Sequence, residues 1–559
     1  MPITKHKILA LLKACSQRKD AGRSCRRLHY LMTRLGYDSS PFLSDHLIRL
    51  LGSYASLLEA NLVFCLASRP CVFTWQAILS AHCSHGEYCM TLLLYYKMLD
   101  HGICADRVTY LCVLKACAAL QDDKQAYIFH RYIVDSQNDR DIKIGNMLVY
   151  TYANCARLDD ATSVFSRLRQ KTVVSWTAII ATYVQHGYDT VALEQFQSMM
   201  RNGVIPDDFA FTSALKACTN LVNVQSGRLI HSWTVLHGLE VTVAVGSAII
   251  DMYGKCGSIA EAQDVFNKLS SKNIVTWNAM ITAYCEHGKM ICAQELFDTM
   301  GNNFIQQNVI SWNAMISGYT KCNKAFASIE LYQRMQYRNI KPDAVTYLCA
   351  LKACASVGAL VNGRIVHKKI HACGLDSTLA IGNTLIDMYC KCCSLKEALE
   401  VLSAMPQRDV ISWGAVIGGL TQHSRYELAL QCFQDMQEEG IRPVYDTYVS
   451  VLTACKCLKH VDEGYYYFKS MQEKHGIKPG MVHFNCMIDL LGHAGSLHEA
   501  VRMLHMIPSL SNLQGWMSLL TASKKFGNTE LAYACFDQVV RLDPSISSSY
   551  VIMSSAYNN

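Results

Sequence analysis

Proline is scarce in this chain, with 10 among 559 residues, and 31 glycines are too few to build long linkers. No low-complexity tract interrupts it, so extended disorder is not expected. Hydrophobic residues make up 51% of the composition, yet no window offers 18 uninterrupted apolar residues, which argues against a membrane-spanning helix. A strong charge imbalance is lacking too. The formal net charge of +7 permits a nucleic-acid partner without indicating one, because a binding face depends on where the charge sits. There is no G-x-x-x-x-G-K-S/T loop, no G-x-S-x-G and no paired-carboxylate cluster, so the common nucleotide-hydrolysing and acyl-transferring sites are not in view. The N-terminal MPITKHKILALLKACSQ carries no apolar signal core and no long Arg/Ser-rich leader. The expectation is that either no transit peptide exists or a first exon is missing.

What the chain has in quantity is cysteine and repetition. Its length exceeds a single globular core and calls for several domains or a repeat array. Many of the 26 cysteines stand at fixed repeat positions beside Ala and Lys, as small core residues and reduced thiols of an intracellular or organellar chain would, rather than as a disulfide framework. TYLCVLKACAAL at 109–120 returns as TYLCALKACASV at 346–357. The cysteine closing KAC or TAC recurs at Cys15, Cys117, Cys218, Cys354 and Cys455, in steps of 102, 101, 136 and 101 residues. The tryptophan of an (S/T)W pair recurs at Trp75, Trp176, Trp277, Trp312 and Trp413, in steps of 101, 101, 35 and 101. The long cysteine step thus contains one additional 35-residue unit, the one separating Trp277 from Trp312. Within a block, VVSWTAII (173–180), DFAFTSAL (208–215) and VAVGSAII (243–250) start 35 residues apart, and IVTWNAMI follows after 31. A period of this size marks a solenoid.

Each unit reads as two helices. In 173–207 the first carries apolar Val174, Trp176, Ile179 and Ile180; QHGYD breaks it; the second carries Ala192, Phe196 and Met199 before a turn at NGVIPD. Spacings of three and four define one apolar stripe per helix. CEHGK (285–289) and KCGS (255–258) supply the equivalent glycine breaks, suited to a helix C-cap. A hairpin of this length cannot bury both stripes alone, so stacking on its neighbours stabilises it.

The tetratricopeptide pattern, with a period of 34 and W-x2-L-G-x2-Y, does not fit. The 35-residue units, with VTWNAMI…F…M…P-D, resemble pentatricopeptide repeats, and the ordered 35, 35 and 31 alternation resembles the plant PLS subclass of that family. The resemblance implies an all-α fold: an α-solenoid, a right-handed superhelix of stacked helix-turn-helix repeats. About fifteen units cover 5–512. The 35-residue form stands at 72–106, 173–207, 274–308, 309–343 and 410–444; long units at 5–40, 107–141, 208–242, 344–378 and 445–480; short units at 41–71, 142–172, 243–273, 379–409 and 481–512. LQGWMSLLTASKKFGNTELAYACFDQVVRLDP resembles the E motif of editing-type members and assigns 513–546 to it. SSSYVIMSSAYNN (547–559) resembles the truncated opening of a second such motif, with no DYW deaminase domain.

Family resemblance also implies a chemistry. Such arrays bind single-stranded RNA, one base per repeat, through two or three side chains. The selectors are the fifth and last residues of a unit, and the second residue packs against the base. On this sequence Thr177 with Asp207 implies G, and Ser247 with Asn273 implies A. Asn278 with Asn308 implies a pyrimidine, C favoured; Asn313/Asp343 and Asn383/Asp409 imply U; Asn146/Thr172 and Asn485/Asn512 imply a pyrimidine. Val174, Val275, Ile310 and Ile411 stand at the base-packing place. Asp45/Cys71, Gln76/Asp106 and Gly414/Val444 depart from the code, while Leu111, Thr212, Leu348 and Val449 are poor readers that space the array. The implied 5′-to-3′ core for units 142–409 is Y-G-n-A-C/U-U-n-U. A competing structural reading is that an Asn such as Asn278, at a helix start, serves as an N-cap. Scattered Lys and Arg read as solvated helix faces.

Other signals are set aside. His85-Gly86-Glu87 matches half of a zinc-deaminase signature, but no P-C-x-x-C follows and it falls at an interhelix turn. Cys390 and Cys393 form C-x-x-C inside a KCG-type turn. His367 and His371 stand four apart on one helix face, yet GRxxH recurs at His231 and His367, which favours packing over metal binding. The expected function is site recognition for organellar C-to-U RNA editing, in a mitochondrion or chloroplast. The partners implied are single-stranded RNA, a deaminase-bearing protein in trans and other editing factors. No catalytic residue, metal, cofactor, membrane or small-molecule substrate is expected. The edited cytidine is placed a few nucleotides 3′ of the base facing 481–512. One alternative is a role in RNA stability, splicing or translation, favoured by the short C-terminal motif. Another is a protein-binding helical scaffold with no RNA affinity, indifferent to Asn313→Thr.

Overall fold

The computed structural model of the chain describes residues 5–15, 21–35, 41–54, 56–67, 70–302, 305–507 and 512–557. Parts of units 5–40, 41–71, 274–308 and 481–512, and the end of segment 547–559, therefore lie outside the described residues. Secondary structure among the described residues is helical, with no strand, and the fold is an all-α solenoid of stacked helix pairs. The residues group into two compact units, Met1–Ala283 and Tyr284–Asn559.

One pair shows how the sequence builds each layer. Thr172 starts the helix Val173–Gln185 through a capping box: its hydroxyl accepts from the Ser175 N–H at 3.4 Å, and the Ser175 hydroxyl accepts from the Thr172 N–H at 3.1 Å. Trp176, Ile179 and Ile180 of the expected stripe are buried, joined by Tyr183, while Val174 stands outside it in solvent; Ala192, Phe196 and Met199 form the buried stripe of Asp189–Arg201, as the apolar spacing predicts. Between them Gly187 adopts φ +77°, in the left-handed region where a Cβ is strained. The same hairpin place elsewhere holds Ala156, Asn323, Cys393 and Ser424, all with positive φ. Helix packing imposes the turn, then, and glycine only lowers its cost of about 1 kcal/mol.

Unit length is set in the second helix. The 35-residue units 173–207 and 309–343 pair helices of 13 and 13 residues. The 31-residue units pair 13 with 10: Ile142–Asn154 with Leu158–Arg167, Val243–Lys255 with Ile259–Lys268, and Leu379–Lys391 with Leu395–Ala404. A short unit has lost about one turn of its second helix.

Successive layers are joined by repeated contacts. In the first compact unit Trp75, Trp176 and Trp277 meet Phe64, Phe165 and Phe266 edge-on, with ring centroids 4.7, 5.0 and 5.1 Å apart; in the second, Trp312 meets Phe297 at 5.0 Å. Such pairs add roughly 0.5–1.5 kcal/mol each beyond their burial. Cys117, Cys218, Cys354 and Cys455 are fully buried, and burial pushes each thiol up to about 12. The described cysteines are free thiols.

Histidines of the long units take structural partners. Nδ1 of His130, His231 and His367 lies 2.9, 3.0 and 2.8 Å from the hydroxyl of Tyr152, Tyr253 and Tyr389, each in the following short unit. Beside two of these pairs, Arg228 reaches Glu261 at 2.6 Å and Arg364 reaches Glu397 at 2.8 Å. His371 is turned away to Asp376 at 2.6 Å. His85 Nε2 lies 2.6 Å from the Gly52 carbonyl, and His423 Nε2 2.7 Å from that of Cys390, so the turn histidine is an inter-repeat strut.

Candidate nucleic-acid interface

The last residue of a unit is the N-cap of the next first helix, and the fifth residue lies one turn into its own first helix. Repeat stacking therefore brings residues about thirty apart in sequence side by side. In the second compact unit, Asn313 Nδ2 donates to Asp343 Oδ1 at 2.9 Å and Asn383 Nδ2 donates to Asp409 Oδ1 at 3.2 Å. In the first, the Thr177 hydroxyl lies 3.2 Å from Asp207 Oδ1 and 2.8 Å from the Val173 carbonyl. The capping function belongs to the last residues: Asp207, Asp343, Asp409 and Asn308 each accept from a backbone N–H in the following first turn. Asn273 does likewise, accepting from Val275 and Thr276 N–H at 3.0 Å. Asn278, by contrast, sits inside its helix, so the N-cap reading applies to its predecessor Asn273 and not to Asn278 itself.

A third residue sets the two Asn–Asp pairs, and it hides in the (S/T)W motif and its equivalents; beside Thr177 and Asp207 that place is Ala210, which gives only its backbone N–H. The hydroxyl of Thr346 lies 2.6 Å from Asn313 Oδ1 and 2.9 Å from Asp343 Oδ1; that of Ser412 lies 2.6 Å from Asn383 Oδ1 and 2.9 Å from Asp409 Oδ1. Both hydroxyls are fully buried. A side-chain amide by itself carries both donors and an acceptor. Here the acceptor is taken by the buried hydroxyl and one amide hydrogen by the carboxylate. Asn313 is only 9% exposed. What remains for a ligand is the second amide hydrogen and the outer carboxylate oxygen.

Other pairs differ in closure. Ser247 reaches not Asn273 directly but the Thr276 hydroxyl, at 2.8 Å, which itself lies 3.1 Å from Asn273 Oδ1. Asn146 Oδ1 is buried without a partner, and Thr172 is occupied by its capping box. Asn512 Nδ2 donates to Asn485 Oδ1 at 2.6 Å, and with Asn512 only 2% exposed this pair is spent internally. Asn278 belongs to the first compact unit and Asn308 to the second; Asn278 is buried, while Asn308 caps Val309–Lys321. Gln76 and Asp106, excluded by the sequence code, also pair, but on the other carboxylate oxygen: Gln76 Nε2 donates to Asp106 Oδ2, while the Thr109 hydroxyl lies 2.9 Å from Asp106 Oδ1. The signal that finds them is place in the repeat rather than residue type. Cys71 Sγ lies 3.7 Å from Asp45 Oδ2 at the corresponding places of unit 41–71.

Beside the pairs stand apolar side chains that the core leaves out. Val174, Val275, Ile310 and Ile411 are 56–61% exposed, and Phe73, Phe209 and Val345, at the same second place of their units, are also more than half exposed. An exposed aliphatic is ordinary by itself, but recurrence at one place, each time one turn from a polar pair, is not. Burial raises the carboxyls of Asp343 and Asp409, but the hydrogen bonds they accept outweigh it and hold both below the ordinary carboxylate range.

Comparison with known proteins agrees with the repeat architecture. Profiles described as PPR repeat match 174–204, 247–274, 275–303, 383–410, 446–475 and 482–511, and those described as PPR repeat family match 307–356 and 408–457. Pentatricopeptide repeat-containing protein At1g03540 of Arabidopsis thaliana is 31% identical over 87% of this chain and 73% of its own length. The mitochondrial At2g03880 protein of the same plant is 30% identical over 87% and 74%. The chloroplastic At1g11290 protein is 28% identical over 98% of this chain and 63% of its own length. Among solved structures, the maize pentatricopeptide repeat protein PPR10 shares the fold with a TM-score of 0.59 at 16% identity, over 99% of this chain and 89% of that one. With its period, its helix pairs and these relatives, the chain belongs to the pentatricopeptide repeat family.

Proposed function

We propose that this chain is a sequence-specific single-stranded RNA-binding protein of a mitochondrion or chloroplast, acting as a site-recognition factor for C-to-U editing. The observation that carries the reading is the recurring fifth-and-last pair, flanked by an exposed apolar side chain and, at both Asn–Asp pairs, locked by a buried hydroxyl. The chemistry fits bases held edge-on. An Asn–Asp pair keeps one N–H donor and one carboxylate oxygen, which suits the O4 acceptor and N3–H donor of uracil. A Thr–Asp pair offers acceptors, which suits the N1–H and N2–H donors of guanine. The aliphatic neighbour packs against the base face, and stacking makes single strands the accessible target. Under this reading the array follows the PLS alternation, with an E-type motif at 513–546 and the start of another at 547–559. The array selects the site, and a deaminase on another chain performs the conversion together with other editing factors.

Two measurements test it. A purified chain is expected to bind an oligoribonucleotide spelled Y-G-n-A-C-U-n-U more tightly than a scrambled one; equal affinities for the two sink the base-reading claim. Sequencing organellar RNA from a plant lacking the gene is expected to show loss of conversion at one cytidine. Intact conversion with altered transcript ends refutes the editing role and leaves RNA binding in place.

A further inference from the structure

The short second helix of unit 142–172 opens a groove. Leu158–Arg167 stops about one turn before the second helix of a 35-residue unit does. The space left between it and the preceding long unit's Asp123–Asp135 is a cavity of about 480 Å³. Its floor is apolar, with Leu148 and Leu168 and with Gly145, where a Cβ would stand 2.4 Å from Leu168 Cδ2. Its rim is cationic: Arg140, Arg167 and Arg169 line it with Gln170 and His130. Among the described residues none of these three arginines has an ion pair or a hydrogen bond through its guanidinium. Asp141, the neighbouring carboxylate, is engaged by Arg107 at 3.6 Å and by the Lys143 N–H at 2.8 Å.

The groove recurs in unit 379–409 with the opposite charge. There a cavity of about 570 Å³ is lined by His371, Asp376, Glu397 and Glu400, and Glu397 is already paired with Arg364. Architecture alone therefore does not demand arginine at the first site. The three arginines are exposed around one recess, and a ligand with several anionic oxygens matches their planar forks.

Resting on the RNA-binding reading above, we infer that the Arg140, Arg167 and Arg169 groove holds phosphate groups of the bound RNA strand and so contributes affinity without base preference. The position favours RNA over an acidic protein. Arg169 and Gln170 stand three and two residues before Thr172, so this side of the rim adjoins the last place of the unit. A strand lying over that place brings its backbone to the arginines.

The test uses the full chain and a triple Arg140→Gln, Arg167→Gln, Arg169→Gln variant, with a triple Arg-to-Lys variant as the charge-keeping control. Affinity for Y-G-n-A-C-U-n-U and for its scrambled counterpart is measured between about 50 and 200 mM KCl. Each phosphate that the Gln variant no longer neutralises is expected to make the slope of log affinity against log salt shallower by about 0.7, so about 1.4 to 2 in all. Both RNAs weaken by the same factor, and the Lys variant keeps the parental slope. A Gln variant of unchanged helicity and melting that retains the parental slope overturns the inference. So does a variant with the parental slope that no longer binds a poly-glutamate peptide, which assigns the groove to an acidic protein. A parental chain that binds neither RNA overturns the underlying function, a result distinct from an unaltered slope.

Discussion

Asn313, Asp343 and Thr346 form a three-residue device in which each side chain limits the others. Replacing Asn313 by Thr converts the Asn–Asp pair into the Thr–Asp pair found at Thr177 and Asp207. Preference at that nucleotide is expected to move from U to G by about 1–3 kcal/mol, the scale of a good base-edge contact, as read by competition between two oligoribonucleotides. Thr346→Val removes the buried hydroxyl and frees the Asn313 amide to rotate. Discrimination at the same nucleotide should then drop by about 1 kcal/mol while Thr346→Ser retains it. Asp343 and Asp409 also make a pH statement. Their folded pKa values lie below those of the unfolded chain, so their contribution to stability is complete above the unfolded value near about 4 and is lost as pH falls through the folded one. In urea titrations below about pH 4, the Asp343→Asn, Asp409→Asn double variant is expected to lose less stability than the parent. These residues were legible in the sequence as places in a repeat. Thr346 was not, because its role depends on a neighbour 33 residues away.

First helices of adjoining repeats approach so closely that single atoms matter. A Cβ on Gly254 would stand 2.6 Å from Ala283 Cβ and 3.4 Å from its Cα, with no flexible side chain available to yield. Gly254→Ala gains helix propensity of about 1 kcal/mol. Overpacking costs about 1–3 kcal/mol, so a net loss of stability is expected in urea denaturation. The buried cysteines belong to the same scale. With burial raising Cys117, Cys218, Cys354 and Cys455 to about 12, these thiols should resist alkylation at pH 8 in the native chain and react fully in 6 M urea, about the level that unfolds such domains, as peptide mass spectrometry reports. Rapid native labelling of Cys354 would contradict the packing described here. The period and the buried stripes made these elements legible before any tertiary contact was known.

Across the whole molecule, each compact unit is a quasi-one-dimensional stack in which a repeat touches mainly its neighbours. Stability and binding both accumulate along it. The histidine and cysteine signals that resemble metal sites are distributed through this stack as struts: His85 on Gly52, His367 on Tyr389, Cys390 in the core with Cys393 at a left-handed turn. Dialysis against a chelator is therefore expected to leave helicity, melting temperature and RNA affinity unchanged. A fall in any of them would show that metal holds part of the stack.

By itself the sequence determined the helix pairs and their periodic spacing, and it marked the fifth and last places that we propose meet the bases. A 3.6-residue helical period and a 31-to-35-residue repeat are local properties, written wherever an apolar residue recurs. Tertiary structure alone decided which polar atoms stay open. Asn313 gave its acceptor to Thr346, Asn485 spent its carbonyl on Asn512, and Gln76 joined Asp106 despite its unusual residue type. It also decided that three arginines scattered over 140–169 share one recess. Such contacts depend on how neighbouring repeats pack, and an unsatisfied or occupied hydrogen bond exists only once the two partners have been brought together.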